Sequence, residues 1–368
     1  MFSEVKKNFG FGCMRLPTTK LGAIDYKELN KMVDAFIDAG FNYFDTARGY
    51  MLMRSEKALK KCLTSRYNRN EYVLTDKLSG GFFKKQEDIR PLFSKQLKAC
   101  GVEYFDFYLM HAQDAKVYDK FKNCKAYETA FELKNEGKIK HVGLSFHDKA
   151  EVLEKILTEY PEIEVVQIQF NYLDYDDPSV EGKKCYDVCR KFNKPIIVME
   201  PVKGGSLVRL PDEAKKVFDD LGGGSYASYA IRFASSFEGI FMVLSGMGNM
   251  QMMNDNLSYM KDFKPITQGE QDAINKVKLI CRKQNAIQCT GCKYCIDGCP
   301  KNIPIPDLFA CLNDKRANNT FNSSYYYSIH AKRGKASDCI KCGKCEDACP
   351  QHLEIRKLLD EVKKEFGK

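Results

Sequence analysis

Short apolar runs alternate with longer segments of mixed polarity from Phe9 to Met260, and the two kinds of segment recur as eight pairs. The runs Phe9 to Leu16, Asn42 to Thr46, Tyr72 to Lys77, Phe105 to His111, His141 to Phe146, Val165 to Asn171, Pro195 to Pro201 and Gly239 to Gly246 read as buried strands. Apolar residues at helical spacing predict helices over Tyr26 to Ala39, Ser55 to Leu63, Gln86 to Cys100, Ala126 to Asn135, Ala150 to Glu159, Gly182 to Asn193, Ser225 to Ser235 and Met250 to Met260. Gly40, Gly101, Gly137 and Asn193 stand where such helices stop, as left-handed caps do. Alternating strands and helices build a parallel sheet, and eight units predict an α/β chain closed as a (β/α)8 TIM barrel, with an open doubly wound sheet as the alternative.

After Pro265 the strand pattern stops, and a helix over Gln268 to Lys283 leads into a cysteine-dense tail. Two domains are therefore expected, a barrel over residues 1–265 and a small, mainly α-helical domain over residues 266–368. Within 368 residues, 44% hydrophobic and 29% charged, disorder is excluded. No apolar stretch approaches the ~20 residues that span a bilayer, and no export signal is read at Met1 to Gly12, so a cytoplasmic chain without membrane contact is expected. In a reducing compartment the 16 Cys point to metal or redox chemistry rather than to disulfides. The net charge of +9 comes as mixed charges on helical faces, which gives no reason to expect nucleic acid.

Cys289, Cys292, Cys295 and Cys299 with Pro300 form C-x2-C-x2-C-x3-C-P, and Cys339, Cys342, Cys345 and Cys349 with Pro350 repeat it. Three thiolates at this spacing wrap one cubane, while the fourth, past a longer spacer, ligates the other cluster. Two 4Fe-4S clusters are expected, one on Cys289, Cys292, Cys295 and Cys349 and one on Cys339, Cys342, Cys345 and Cys299. Zinc knuckles supply ligands in pairs, so the zinc alternative fits runs of four poorly. Helix-like pieces at Ile305 to Asn313 and Tyr325 to Lys332 lengthen the spacer, and the tail resembles the alpha-helical ferredoxin type found as a domain of electron-transfer enzymes.

In such a barrel, chemistry sits at the C-terminal ends of strands. Asp45 ends the second strand with Tyr50 in the loop beyond, Lys77 ends the third and His111 the fourth. Each alone could be a mouth ion pair or a satisfied histidine. Together, in Phe44-Asp45-Thr46-Ala47-Arg48-Gly49-Tyr50, Val73-Leu74-Thr75-Asp76-Lys77 and Leu109-Met110-His111, they resemble the catalytic tetrad of the aldo-keto reductase family. The cysteine tail narrows the resemblance to its iron-sulfur members.

The chemistry is derivable. A carbonyl accepting hydride needs a proton donor, and a Lys ammonium at ~4 Å can bring a Tyr of pKa ~10 toward working pH. Tyr50 is then the general acid/base, Asp45 holds Lys77, and His111 orients the substrate oxygen. Hydride must come from a nicotinamide, NADP or NAD, because no side chain supplies one.

The resemblance assigns Ser145 and Gln167 to the carboxamide, although Phe146 replaces the usual Asn and Met199 the usual stacking aromatic. Lys203-Gly204-Gly205-Ser206 fits a diphosphate loop, or else a Gly-Gly turn with an incidental Lys. Gly246, Met247 and Asn256 match the adenosine end, where Met252 stands in place of a basic residue for a 2′-phosphate.

The expected reaction interconverts a small-molecule carbonyl and an alcohol, wired through the tail to a ferredoxin or flavoprotein partner. Hydride moves electrons in pairs and clusters move them singly, yet no flavin fingerprint is present to split the pair. The alternatives are an electron-transfer or regulatory subunit with a weakly catalytic barrel, and clusters that serve only as a structural staple.

Overall fold

The computed structural model describes residues 2–178, 180–283, 287, 289, 294–318, 321–349 and 353–367. Eight strands, β1 (Phe9–Gly12), β2 (Tyr43–Asp45), β3 (Val73–Leu78), β4 (Phe105–Gln113), β5 (Ile139–Phe146), β6 (Val165–Gln169), β7 (Ile196–Met199) and β8 (Ile240–Ser245), close a parallel barrel in sequence order. β1 pairs with β8 as well as β2, so no edge is left open.

The helices are α1 (Tyr26–Asp38), α2 (Ser55–Leu59), α3 (Ile89–Cys100), α4 (Ala115–Asn123), α5 (Ala126–Asn135), α6 (Ala150–Glu159), α7 (Gly182–Lys191), α8 (Asp212–Asp219), α9 (Tyr226–Ser235) and α10 (Met250–Met260). They continue with α11 (Gln268–Lys283), α12 (Tyr294–Asp297), α13 (Ile305–Asn318), α14 (Phe321–His330), α15 (Lys344–Asp347) and α16 (Ile355–Phe366).

Strands covered on both faces need continuous apolar runs, and every residue of β3 is buried. Tyr43, Phe107, Leu109, Val165, Ile197 and Met242 fill the interior, with Phe2 packed against them. At Gly143 a Cβ would stand 2.5 Å from the Val165 carbonyl oxygen, so this β5 position tolerates no side chain. Gly40, Gly101, Gly137 and Asn193 all adopt positive φ where their helices stop, as their positions imply.

Several strands end sooner than the apolar runs, whereas β3 and β4 run on to Leu78 and Gln113. β1 stops at Gly12 and β7 at Met199, because the residues beyond them turn away into the loops that carry the site. α4 and α8 were not read from sequence, since each offers only two buried large side chains or fewer to carry a period.

By contact the described chain divides into two compact units, one of Met1–Asn171, Gly182–Pro201 and Ala227–Ile266, the other of Tyr172–Glu181, Val202–Tyr226 and Thr267–Lys368. All eight strands belong to the first. The core of the second comprises Ile303, Leu308, Phe309, Ile355, Leu359 and Val362, and Cys295 and Cys345 are buried among them. Among the described residues no helix is long and apolar enough to cross a membrane.

Candidate active site and cysteine centre

In the barrel unit, Asp45 closes β2 and Lys77 lies one residue before the end of β3. Lys77 Nζ is 2.5 Å from Asp45 Oδ1 and donates to the Thr46 carbonyl oxygen at 2.8 Å, with Lys77 only 1% exposed. The ammonium also lies 5.0 Å from the Tyr50 ring centroid, and His111 meets that ring edge-on at 5.8 Å. The four residues predicted to act together are therefore neighbours. Tyr50 enters a turn in which Met51, Leu52 and Met53 all take positive φ, a costly conformation for non-glycine residues that concentrates at functional loops.

Burial dominates the electrostatics. It pushes the Tyr50 phenol above its ordinary value; Lys77 pulls it down, while Asp45 and Glu200 push it up. The expected lowering by Lys77 is thus present but outweighed in this chain. Burial opposes the Lys77 charge, yet Asp45 and Tyr50 prevail and hold the ammonium above its usual range. His111 is driven well below the usual imidazole range by burial first and then by Lys77 and His147, and so is neutral. Its Nδ1 lies 2.6 Å from Ser79 Oγ, a partner that no sequence motif announced.

Ser145 and Gln167 face one another in the β5–β6 register. Ser145 Oγ accepts from the Ala112 N–H at 2.8 Å, at the irregularity just past His111. Gln167 Oε1 is buried without a hydrogen-bond donor, an orphan acceptor that an amide N–H would satisfy. These two residues fit a carboxamide.

Met199 ends β7, and Met247 is buried after β8 beside the partly exposed Gly246. Asn256 Nδ2 donates to Ser245 Oγ at 2.7 Å, and Tyr259 donates to Asn256 Oδ1 at 2.5 Å, so this residue braces the β8 exit. At the start of α10, Asn249 caps the Met252 N–H at 2.9 Å and the Glu28 carboxylate accepts from the Met250 N–H at 3.0 Å. Neither contact was foreseen.

In the second unit Lys203 is buried and ion-paired to Asp174 and Asp314, the latter at 3.1 Å. Gly204 and Gly205 adopt positive φ, and Ser206 Oγ donates back to the Lys203 carbonyl at 2.5 Å. The loop has the predicted turn, and its ammonium faces two carboxylates.

Cys299, Cys339, Cys342 and Cys345 line one pocket whose other walls include Ile303, Ile305 and Leu359. These are the four cysteines that the spacing assigned to one cluster. Positive φ at Lys341 and Gly343 wraps the run, and the Lys341 N–H points at Cys339 Sγ, 3.4 Å away. Four thiols lining one pocket have the donor chemistry of a cubane site, although among the described residues no group of three or more Cys, His, Asp or Glu is drawn together closely enough to hold a metal ion. Of the other quartet, Cys289, Cys295 and Cys349 pack on the same core, and Cys292 lies outside the described residues.

Residues 8–278 match the family model of the aldo/keto reductases, and residues 288–353 match that of a 4Fe-4S dicluster domain. An NADH-specific methylglyoxal reductase of Escherichia coli is 25% identical over 195 residues, spanning 48% of this chain and 57% of that relative. The uncharacterized oxidoreductase YqkF of Bacillus subtilis is 25% identical over 235 residues, spanning 60% and 68%. Among solved structures, an aldo-keto reductase from Klebsiella pneumoniae in complex with NADPH superposes with a TM-score of 0.61 at 16% identity, covering 74% of this chain and 95% of its own. One from Bacillus halodurans gives 0.59 at 22% identity over 73% and 91%.

Proposed function

The chain belongs to the aldo/keto reductase family, and on that premise we propose that its barrel interconverts a carbonyl and an alcohol with Tyr50 as general acid/base, coupled to two 4Fe-4S clusters in the tail. The observation that carries the reading is the buried Lys77–Asp45 pair set under the Tyr50 ring. A phenol held above its ordinary value keeps its proton at neutral pH, as reduction of a carbonyl requires. Lys77 favours the phenolate that remains after the proton leaves, and Asp45 keeps Lys77 charged and in place. Ser79 Oγ lies at His111 Nδ1, and in the proposed tautomer Nδ1 accepts from that hydroxyl, leaving the proton on Nε2 to be donated as a hydrogen bond to the substrate oxygen.

A nicotinamide, when bound, supplies the hydride. Ser145 and Gln167 hold its carboxamide, Met199 packs on its ring, and Gly246, Met247 and Asn256 shape the adenosine end. Glu28 beside the Met250 N–H and the uncharged Met252 repel or fail to grip a 2′-phosphate, which favours NADH over NADPH. Exposed Leu52, Met53 and Phe82 border the Tyr50 turn and suit an apolar carbonyl substrate. The clusters would be held by Cys289, Cys292, Cys295 and Cys349 and by Cys339, Cys342, Cys345 and Cys299.

The test is anaerobic and uses the cluster-loaded chain. NADH is added without a carbonyl while the visible cluster absorbance is followed, and a panel of aromatic aldehydes is then supplied. Bleaching followed by aldehyde-dependent NADH consumption supports the coupled reading. Consumption without bleaching leaves the barrel reaction standing and removes the coupling. Bleaching without consumption supports the second reading, an electron-transfer or regulatory subunit, which Phe146 and Met199 at two cofactor positions favour.

A further inference from the structure

The two cysteine quartets have different surroundings. Cys289 lies on a cavity of about 410 Å³ whose wall carries Asp174, Asp176, Asp177 and Asp314, and neither it nor Cys295 nor Cys349 is fully exposed. In the other quartet Cys342 is exposed, and its neighbour Ile340 shows 58% of its surface to solvent. Lys301, Lys341, Lys344 and Arg356 stand exposed in and beside the same pocket wall.

Residues 332–345 hold five Lys and Arg against one Asp. Ion pairs at 3.0 and 2.6 Å engage Lys341 with Asp360 and Arg356 with Glu346. Lys301 and Lys344 have no carboxylate within ion-pair distance among the described residues.

We propose that the mouth of the Cys299, Cys339, Cys342 and Cys345 pocket is the docking face for an acidic one-electron carrier protein. The inference rests on the cluster reading above. A cluster with its four thiolates brings a charge of about −2, which the local basic excess outweighs, so the rim stays positive when loaded. A negative carrier is steered to such a rim, and Ile340 gives the encounter an apolar centre beside an exposed ligand.

In the exchange the reduced carrier loses one electron and the oxidised cluster gains one; no bond or proton moves. A nucleic acid would use the cations but leave Ile340 and the exposed cysteine unmatched. A second copy of the chain would bring the same positive rim against itself.

The full chain, loaded anaerobically and checked by iron and sulfide content, is titrated calorimetrically with an acidic plant-type 2Fe-2S ferredoxin, and electron exchange is followed by rapid mixing. Binding should weaken steeply as salt rises, and the Lys301→Glu/Lys344→Glu double variant should lose about tenfold in affinity and exchange rate. Lys27→Glu/Lys31→Glu on the barrel surface should change neither. Affinity indifferent to salt and to the double variant overturns the proposal, as does equal binding to a short DNA duplex or self-association through this face. A chain that takes up no iron refutes the cluster reading, and the proposal with it, so that failure is separable from loss of docking alone.

Discussion

The barrel site and the cysteine centre are assembled in opposite ways. The barrel draws Asp45, Lys77 and His111 from the ends of three strands and Tyr50 from a turn, and braces them with a buried ion pair that needs nothing added. In the tail, the prospective ligands come from two short runs and are themselves part of the core: Cys295 and Cys345 lie buried among Ile303, Leu308 and Leu359. A scaffold of long-range strand pairing can be perturbed at its site without unfolding, whereas a core built partly of metal ligands has its stability tied to the metal.

The sharpest way to break that comparison is to remove iron. Chelation under anaerobic conditions should abolish protection of α13 and α16 in hydrogen exchange while β3, β4 and β5 stay protected. Equal loss in both units would mean that the barrel depends on the clusters for its fold. The next largest effect belongs to Tyr50→Phe, which should lower carbonyl reduction by about 10³-fold with the circular dichroism unchanged. With the phenol held up and His111 already neutral, wild-type reduction should be nearly flat between about pH 6 and 9. A rate that falls across neutrality would show that Tyr50 has lost its proton and is not the donor.

The contrast also explains what was legible beforehand. The eight strands were readable because strands buried on both faces leave continuous apolar runs, and the closeness of Asp45, Tyr50, Lys77 and His111 was readable because strand ends of a barrel converge on one mouth. The spacing proposed a cysteine pairing, and Cys299 shares a pocket with Cys339, Cys342 and Cys345 as that pairing requires. Ser79 was not, since one serine past a strand carries no pattern until the fold brings His111 to it. Glu28 at the α10 N-terminus was equally invisible: its partner Met250 lies at the far end of the barrel sequence. α16 carries an apolar stripe in Ile355, Leu359 and Val362, so this helix was legible in the sequence although it lies directly beyond the cysteine run.

A smaller effect probes the buried pair itself. Lys77→Met leaves Asp45 without a counter-charge in a site where both are almost fully buried, and should cost about 3–5 kcal/mol in urea unfolding of the barrel. Asp45→Asn added to Lys77→Met removes the stranded charge and should recover most of that stability while activity stays lost. Equal destabilisation in the single and double variants would mean that packing, not charge pairing, holds the site.

The smallest effect is expected immediately behind Lys77, and its smallness is the point. Glu56 and Asp76 are fully buried and each carboxylate bears on the other electrostatically, with Arg48 Nη1 2.5 Å from Glu56 Oε2. The Lys77 N–H donates to Asp76 Oδ1 at 2.8 Å, and Glu56 Oε1 has no donor unless Asp76 carries a proton. Burial first and then Glu56 push Asp76 well above its ordinary value, which favours a single proton shared by the pair. Asp76→Asn imitates the protonated acid and should leave carbonyl reduction within about twofold. The unfolded chain releases that proton above about pH 4, so wild-type stability should fall as pH rises from there through the folded value of the pair. In Asp76→Asn this pH-dependent loss should be absent. Urea unfolding at pH 5 and pH 8 measures it, and a wild type that gains stability relative to Asp76→Asn over this interval would show that Asp76 is ionised and that Lys77 is backed by a carboxylate rather than by a neutral acid.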